Sequence, residues 1–404
     1  MKLKKIKLEN FRLWESSDLS LGSRLTLLVG ENGAGKSAAL DAIAIGLGEI
    51  LARLPGVTGP SFRSRGDIRQ AGNQLQPYTR IELTSDNGLV WDRIKRRDQS
   101  KQVAQSIGKR AGVKDIREHI DQSILEPWGA NLPFELPVFV SYGVSRAMLD
   151  IPLRRRGFPQ EFERFDALRN ALDADTHFKS AFAWFYYKEN EEHRLQKEQR
   201  SFEVTLPELD AARQAIASMF PGLSNPRVEI NPLRFAVDYQ NETLDIAQLS
   251  DGYQTMLGLV IDLAARMAMA NPQAKDPLAM PALVSIDEVE LHLHPRWQKH
   301  VMGDLLKTFP NTQFVITTHS MLVIEAINNH LKRAQLGNRS MPGELATIEP
   351  LASTDCRVYF IEQGKENNIL DEETGLIDNR LLYHFNAVNH IYEQLRDLQW
   401  EAGE

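Results

Sequence analysis

A glycine-rich loop, GENGAGKS, lies between a short apolar strand and an apolar-striped helix, and few folds accommodate such a unit. The loop spans residues 30–37, the strand before it is SRLTLLV, and the helix after it starts with AALDAIAIGLGEIL. A strand, a tight loop and a helix in this order are typical of an α/β fold. Glycines let the backbone aim several N–H groups inward at the positive end of the helix, where an anion binds well. The loop therefore predicts a phosphate-binding site.

The side chains of this loop suit a nucleoside triphosphate. Lys36 would place a point charge beside the β- and γ-phosphates, and the Ser37 hydroxyl would be a ligand for Mg²⁺. The flanking strand and helix argue against a chance run of glycines. We predict that the nucleotide is contacted by Gly30, Asn32, Gly33, Gly35, Lys36 and Ser37.

Two acids follow an apolar strand far downstream. The strand ALVSI is followed directly by Asp287 and Glu288. Paired carboxylates at the carboxyl end of a buried strand suit a metal and a water molecule. Asp287 would hold Mg²⁺, and Glu288 would orient or deprotonate the attacking water. Taken alone, such a pair is more often a strand end or a helix cap. The phosphate loop upstream reverses that preference.

A serine and a glycine precede the next apolar helix. In the segment LSDGYQ, Ser250 and Gly252 stand before MLGLVIDLAARMAMA, so a hydroxyl and free N–H groups lie at a positive helix end. By itself this pattern indicates only a serine N-cap. The alternative, that the serine contacts a nucleotide, depends on the company of the other motifs.

Four motifs resemble, in their order along the chain, those of ABC-type ATPases. LSDGYQ is similar to the signature motif, usually LSGGQ, and His319, after the strand QFVI, is similar to the switch histidine. The resemblance implies that Lys36, Glu288 and His319 are catalytic, with ATP and Mg²⁺ as cofactors. It also implies a homodimer in which Ser250 and Gly252 of one copy contact the nucleotide held by the other.

Two further segments resemble the stand-alone RecF/SMC-like ATPases of prokaryotes. IDEVELHLHP, residues 286–295, is similar to that group, which includes OLD-type ATPases and the PtuA-like ATPases of the Septu anti-phage system. Phe11 and Arg12 resemble the NFR near the start of RecF and SMC heads, where the arginine approaches the nucleotide. The resemblance implies the α/β class, as an ABC-type P-loop NTPase with a mixed sheet core, an N-terminal antiparallel β portion and a helical insertion.

The phosphate loop and the later motifs lie far apart, so the middle of the chain is an insertion within one folded unit. The inserted residues are mostly polar and helical, and they are too few for the coiled-coil arm of an SMC protein. NRLLYHFNAVNHIYEQLRDL predicts a C-terminal helix whose apolar stripe suits packing on its own core or on a partner. We predict head segments at residues 1–146 and 226–364, a compact helical lobe at 147–225, and a C-terminal helical segment at 365–404.

One residue of the family pattern is missing, and a metal site of another kind is disfavoured. After the mid-chain strand, VSYGVSR offers Ser141 and Tyr142 where the family places a Q-loop glutamine. That departure puts metal and water positioning by this loop in question. Glu290, His292 and His294 alternate as metal ligands would, but the resemblance puts this stretch at the dimer contact.

Composition limits the partners and the compartment. The 404 residues carry a net charge of −7, so contact with nucleic acid would need a local basic patch. The clusters Arg93–Arg97 and Arg154–Arg156 are as consistent with DNA contact as with a solvated surface. A single cysteine, Cys356, excludes an intramolecular disulfide, and no apolar run is long enough for a membrane span. We therefore predict a cytoplasmic protein with no membrane contact.

These patterns predict an ATP-dependent switch. ATP would close a homodimer, slow hydrolysis would open it, and the change of shape would control a separate effector, such as a nuclease, in defence against foreign DNA. The alternative is a RecF-like ATPase that binds DNA and acts without an effector. A transporter motor would need a much shorter spacing than the 220 residues between Gly30 and Ser250. VYFIEQGKENN resembles the start of a Toprim nuclease, but the 40 residues after Gly364 are too few for that fold.

Overall fold

The computed structural model describes residues 1–147, 158, 161–173, 178–337 and 339–378. The strands, in chain order, are β1 (Leu3–Phe11), β2 (Trp14–Ser20), β3 (Leu25–Val29), β4 (Gln70–Ala71), β5 (Gln74–Leu75), β6 (Tyr78–Ser85), β7 (Val90–Arg96), β8 (Val138–Tyr142), β9 (Leu223–Ile230), β10 (Leu233–Tyr239), β11 (Glu242–Asp245), β12 (Ala282–Ile286), β13 (Thr312–Thr318), β14 (Cys356–Glu362) and β15 (Lys365–Asn368). The helices are α1 (Lys36–Leu51), α2 (Lys101–Ser106), α3 (Lys114–Ile120), α4 (Glu126–Gly129), α5 (Phe178–Gln199), α6 (Pro207–Met219), α7 (Asp251–Ala270), α8 (Pro295–Gln298), α9 (Val301–Thr308) and α10 (Met321–Gln335).

A six-stranded sheet forms the centre of the molecule, in the order β15-β14-β3-β13-β12-β8. All neighbouring pairs are parallel except β14 and β15. Every residue of β3, β8, β12 and β13 is buried, as the continuous apolar sequences of these strands predict for a parallel sheet covered on both faces. The predicted α/β class with a mixed sheet core is confirmed.

The register of this sheet aligns the carboxyl ends of its central strands. Val29 at the end of β3 pairs with Thr318 of β13, and Ile316 pairs with Ile286 at the end of β12. The loops that follow β3, β12 and β13 therefore leave the sheet along one edge. In open α/β sheets this edge is where ligands bind.

An antiparallel sheet from the N-terminal part lies beside the core, in the order β2-β1-β6-β7. The predicted antiparallel β portion is thereby confirmed. The turn Asp86-Asn87-Gly88 joins β6 to β7 as a hairpin, with Thr84 opposite Val90. Glycine fits this turn because Gly88 has a φ of 87°. Gly46 of α1 lies under this sheet, and a Cβ there would lie 2.4 Å from Leu83 Cδ1.

The insertion between the head segments is built on α5 and α6. The first half of α5 is aromatic, and Phe182, Trp184 and Phe185 are fully buried. Phe185 lies edge-on to Phe235 of β10, with ring centroids 5.1 Å apart, so the lobe packs on the small sheet β11-β10-β9. β9 begins at Leu223 and crosses the boundary expected near residue 225, where the polar sequence favoured helix.

The end of the described chain differs in one respect from the expected helical segment. Lys365–Asn368 form β15, which returns antiparallel along β14 through the turn at Gly364, whose φ is 73°. The helix predicted over residues 379–398 and the cluster Arg154–Arg156 lie outside the described residues.

Within the described part of the chain, no helix combines the length and the apolar character needed to cross a bilayer.

Candidate functional site

The glycine-rich loop connects β3 to α1 at the carboxyl edge of the central sheet. Gly30 has a φ of 154°, and a Cβ there would lie 2.4 Å from the carbonyl oxygen of Ile361 on β14, so only glycine fits. From the other side, Trp14 Nε1 donates to the carbonyl oxygen of Gly35 at 3.1 Å. The central sheet and the N-terminal sheet therefore both fix the backbone of this loop.

Lys36, the first residue of α1, is buried, and its ammonium group turns back into the loop. Nζ donates to the carbonyl oxygens of Gly30 at 2.7 Å and Glu31 at 2.9 Å. Burial lowers the pKa of the Lys36 ammonium, and the carboxylates of Glu288 and Asp287 oppose that shift. The structure thus brings the lysine charge within electrostatic reach of both acids.

The outer face of the loop is open. Asn32, Gly33 and Ser37 are exposed. Asn32 and Gly33 line a groove of about 910 Å³, together with Gln363 and Asn368 of the β14–β15 hairpin. Pockets for small ligands span roughly 300–1,000 Å³, so this groove has room for a nucleoside beside the phosphate loop.

Asp287 and Glu288 follow β12 at the same edge of the sheet. Thr317 on β13 joins them, because its Oγ1 donates to Asp287 Oδ1 at 2.5 Å and accepts the N–H of Glu288 at 2.7 Å. Both acids are half-buried. The Asp287 carboxylate and the exposed Ser37 hydroxyl are hard oxygen donors of the kind that Mg²⁺ prefers, so the predicted metal ligands fit that ion.

The chain turns sharply at Glu288, and Arg146, which sequence reasoning missed, holds the turn. Glu288 has a φ of 49°, a left-handed conformation that costs a non-glycine residue about 1–3 kcal/mol. The buried guanidinium of Arg146 donates to the carbonyl oxygens of both Asp287 and Glu288. Burial lowers the pKa of Arg146 to about 10, while the neighbouring carboxylates, that of Asp287 most strongly, oppose the shift.

His319 follows β13 and is anchored by Glu290. The buried carboxylate of Glu290 accepts the N–H of His319 at 2.7 Å and lies 3.0 Å from its Nδ1. Its other oxygen accepts from Thr318 Oγ1 at 2.7 Å. The His319 ring is itself 46% exposed, so it can reach a ligand above the sheet edge while Glu290 fixes its base. In the sequence, Glu290 stands out only because it alternates with His292 and His294. In the structure its partners are Thr318 and His319, at the end of β13.

The structure gives the residues of the disfavoured metal site other contacts. Glu290 is bonded to Thr318 and His319, as above, and His294 Nδ1 accepts the N–H of Arg296 at the start of α8. His292 has a φ of 60°, so the segment is not the extended chain that alternation assumed. Among the described residues, no group of three or more His, Cys, Asp or Glu side chains is arranged to hold a metal.

Ser250 and Gly252 lie at the start of α7, beside the turn that follows the acids. Ser250 is exposed, and although it occupies the N-cap position its side chain makes no capping hydrogen bond. A Cβ at Gly252 would lie 2.5 Å from the carbonyl oxygen of His292, so this helix end abuts residues 292–293. Within the described part of the chain, no hydrogen bond joins Ser250 or Gly252 to the phosphate loop of the same copy.

An aromatic cluster fixes this helix end. Tyr253 lies 4.4 Å from Trp297 and 6.0 Å from Phe220, and Phe220 lies 5.1 Å from Trp297, all between ring centroids. The three rings belong to α7, α8 and the end of α6. The start of α7 is therefore packed against both the segment after the acids and the inserted lobe.

Arg12 lies between two carboxylates near α1. Its Nη1 donates to Asp41 Oδ2 at 2.6 Å, and its Nε donates to Asp67 Oδ1 at 2.9 Å. Asp41 is one turn beyond Ser37 on α1, so the arginine is tied to the helix that begins at the phosphate loop. Asp67, fully buried, also accepts the N–H of Arg63 at 2.6 Å.

The basic cluster Arg93–Arg97 is largely occupied with internal contacts. Arg93 Nη1 donates to the carbonyl oxygens of Ile45 and Pro60, and Lys95 donates to backbone carbonyls at residues 63 and 64. Arg97 donates to the carbonyl oxygen of Leu75 and pairs with Asp98. These contacts join β7 and Arg97 to α1, to β5 and to the loop at residues 60–64, which gives the cluster a structural role.

Comparisons with known proteins agree with this geometry. One family model, described as an AAA domain, matches residues 5–219, and a second, described as an AAA ATPase domain, matches residues 163–324. The probable ATPase of retron Ec83 from Escherichia coli is 28% identical over 384 residues, which cover 80% of this chain and 69% of that protein.

A second curated protein and a solved structure are also similar to this chain. The Septu protein PtuA of Bacillus mycoides (strain KBAB4) is 25% identical over 304 residues, which cover 74% of this chain but 35% of PtuA. An SMC head bound to the C-terminal winged-helix domain of ScpA covers 93% of this chain and 100% of that one, at 14% identity and a TM-score of 0.48. The chain belongs to the AAA-domain ATPases.

Proposed function

We propose that this ATPase works as a dimer that clamps ATP between two copies and signals its nucleotide state to a separate effector. The carrying observation is the position of Ser250. Its hydroxyl is exposed at a helix N-terminus and does not cap its own helix. A donor left free at a positive helix end suits a phosphate, and no hydrogen bond within the described part of its own copy links it to the loop that would hold one.

Within each copy, the residues at the sheet edge have different roles in ATP binding and hydrolysis. Lys36, whose ammonium group lies in the loop beside the carbonyls of Gly30 and Glu31, binds the terminal phosphates. Glu288 orients the attacking water and accepts its proton, and His319, fixed by Glu290, contacts the γ-phosphate side. Ser37 and Asp287 would hold Mg²⁺, which neutralises phosphate charge when bound.

Across the interface, Ser250 and Gly252 of the second copy complete the site. The start of α7 is packed on the segment 292–293 and, through its aromatic cluster, on the lobe. Closing of the dimer on ATP would therefore exert a force on the inserted lobe, and ATP hydrolysis would remove that force. We expect slow turnover, because a switch needs its closed state to last.

The output that we propose is defence against foreign DNA, delivered by a separate effector such as a nuclease. Support comes from the relatives, which include a retron ATPase and a Septu protein. The RecF-like alternative, in which the chain binds DNA and acts alone, is weakened at Arg93–Arg97, where most of the cations contact their own chain.

The first test traps the closed state. Glu288→Gln keeps the shape of the site and removes the base, so ATP should bind and persist. We expect this variant to shift to a dimer on size exclusion with ATP, and not with ADP. Glu118→Gln, an exposed glutamate on α3, is the matched control and should behave as the wild type. A Glu288→Gln protein that stays monomeric at saturating ATP would contradict the clamp.

The second test concerns the effector. The trapped Glu288→Gln dimer is used to capture partners from native cells, and cells with or without the captured partner's gene are then challenged with phage or plasmid. We expect protection to need both genes. DNA cleavage or protection by this chain alone would contradict the effector model.

A further inference from the structure

Arg146 ends VSYGVSR, the segment that starts in β8 and has no glutamine where the resemblance places one. The 3₁₀ turn Val144–Ala147 follows β8, which pairs in parallel with β12, Tyr142 opposite Ile286. The N–H of Asp287 donates to the carbonyl oxygen of Tyr142 at 2.8 Å, so the two chain segments leave the sheet together. The turn that contains Arg146 therefore runs directly beside the acids.

The guanidinium of Arg146 joins three backbone carbonyls from both segments. Nη1 donates to Gly143 at 2.9 Å and to Asp287, and Nη2 donates to Glu288. A planar guanidinium presents its donors in a fixed fork, so it can hold two consecutive carbonyls in one orientation. The left-handed turn at Glu288, with its φ of 49°, is the conformation that this fork holds.

The environment of Arg146 is costly for a residue that serves only stability. The side chain is 1% exposed, and among the described residues it has no carboxylate within ion-pair distance. Its Nε is buried and has no hydrogen-bond partner among the residues that the structure describes. A buried cation and an unpaired donor both oppose folding, so a residue that carries both calls for an explanation. The positive charge also balances the acids Asp287, Glu288 and Glu290 clustered beside it.

We propose that Arg146 is a positioning residue for ATP hydrolysis, which sets the backbone turn that aims the Glu288 carboxylate at the attacking water. This inference rests on the proposed role of Glu288. Arg146 acts through the peptide groups of Asp287 and Glu288 and not by touching ATP.

Arg146→Ala should separate binding from hydrolysis. Without the fork, the Glu288 turn relaxes, and small misplacements of a catalytic group cost roughly a hundredfold in rate. We expect kcat to fall by about that factor while ATP affinity stays within about threefold, because the phosphate loop is untouched. Added guanidinium ion, at a non-denaturing concentration, should restore part of the activity of Arg146→Ala but none to Glu288→Gln.

Controls separate this role from a general loss of structure. Arg164→Ala removes another guanidinium that donates to backbone carbonyls, those of Ala270 and Phe134, at the far end of α7. It should lower the melting temperature without changing kcat. If Arg146→Ala fails to fold, Arg146→Lys replaces it in the test, because lysine keeps the charge without the planar fork of donors. The kcat of Arg146→Lys should still fall by more than tenfold.

The outcomes distinguish the inference from the proposed function. If wild type hydrolyses ATP, Glu288→Gln does not, and both Arg146 variants remain within threefold of wild type, the positioning role is wrong and the function stands. If Glu288→Gln hydrolyses ATP as fast as wild type, the assignment of the base is wrong, and the inference falls with it. Guanidinium rescue specific to Arg146→Ala supports the inference directly.

Discussion

Glu290 Oε1 lies 3.0 Å from His319 Nδ1 and also accepts the backbone N–H of the same histidine at 2.7 Å. One buried carboxylate thus fixes both the ring and the main chain of a residue that follows a neighbouring strand. Because Nδ1 contacts Glu290, Nε2 is the ring nitrogen left for a ligand. The two residues should therefore act as one unit.

The first prediction tests that unit with a double-mutant cycle. His319→Ala and Glu290→Ala should each lower kcat by roughly 10–100-fold with little change in ATP affinity, because each removes the oriented imidazole. The double variant should be no slower than the worse single variant. Rates and ATP affinities are measured by single-turnover hydrolysis and equilibrium titration. Multiplicative losses would show that Glu290 and His319 act independently.

Much of this site followed from local sequence. The glycine-rich sequence predicts the phosphate loop, and continuous apolar runs predict the buried strands β12 and β13. The acids and His319 stand directly after those two strands. Because parallel strands share an edge, order along the chain was enough to bring them together. Helix α7, which the apolar run MLGLVIDLAARMAMA predicts, begins at Asp251 and ends at Ala270.

Arg146 could not be predicted in the same way. Its partners are backbone carbonyls, which have no sequence signature, and they lie 141 and 142 residues away. The strand β9 was missed because its sequence, LSNPRVEI, contains a proline and alternates poorly. Only its pairing with β10, which the tertiary structure supplies, makes it a strand.

The second prediction concerns the close approach at Gly252. Gly252→Ala would place a Cβ 2.5 Å from the carbonyl oxygen of His292, so the start of α7 must move and carry Ser250 with it. We expect ATP binding to survive and hydrolysis to fall by more than roughly tenfold. Gly129→Ala, on α4 with no atom within 4 Å of the added carbon, is the matched control. Equal activity of the two variants would contradict a functional role for this helix end.

The third prediction concerns pH and the inserted lobe. Burial raises the pKa of Glu189 on α5 to about 7 from an ordinary value of 4.5. The hydrogen bond from the Val228 N–H and the charges of Arg213 and Arg227 oppose this shift, and the charge of Glu192 adds to it. A raised carboxyl pKa means that stability is lost as pH rises from the lower value through the upper one. Glu189→Gln should remove this loss, since its amide oxygen can still accept the Val228 N–H.

Thermal unfolding at two pH values checks this sign. At about pH 8 the Glu189→Gln variant should be more stable than wild type by up to about 3 kcal/mol, with the difference shrinking towards about pH 5. Glu198→Gln, an exposed residue on the same helix, should show no such trend. A Glu189→Gln protein that is less stable than wild type at the higher pH would show that the ionised carboxylate is stabilising.

The most direct measurement mixes two inactive variants. Lys36→Ala should lose ATP binding, and Ser250→Arg should bind ATP but not hydrolyse it, because the arginine blocks contact with the second copy's nucleotide. A mixed dimer keeps one complete site, formed by Lys36 of one copy and Ser250 of the other. With random exchange and independent sites, an equal mixture should recover roughly a quarter of wild-type activity. No recovery in mixed dimers shown to form, or full activity of Ser250→Arg alone, would contradict a site shared between two copies.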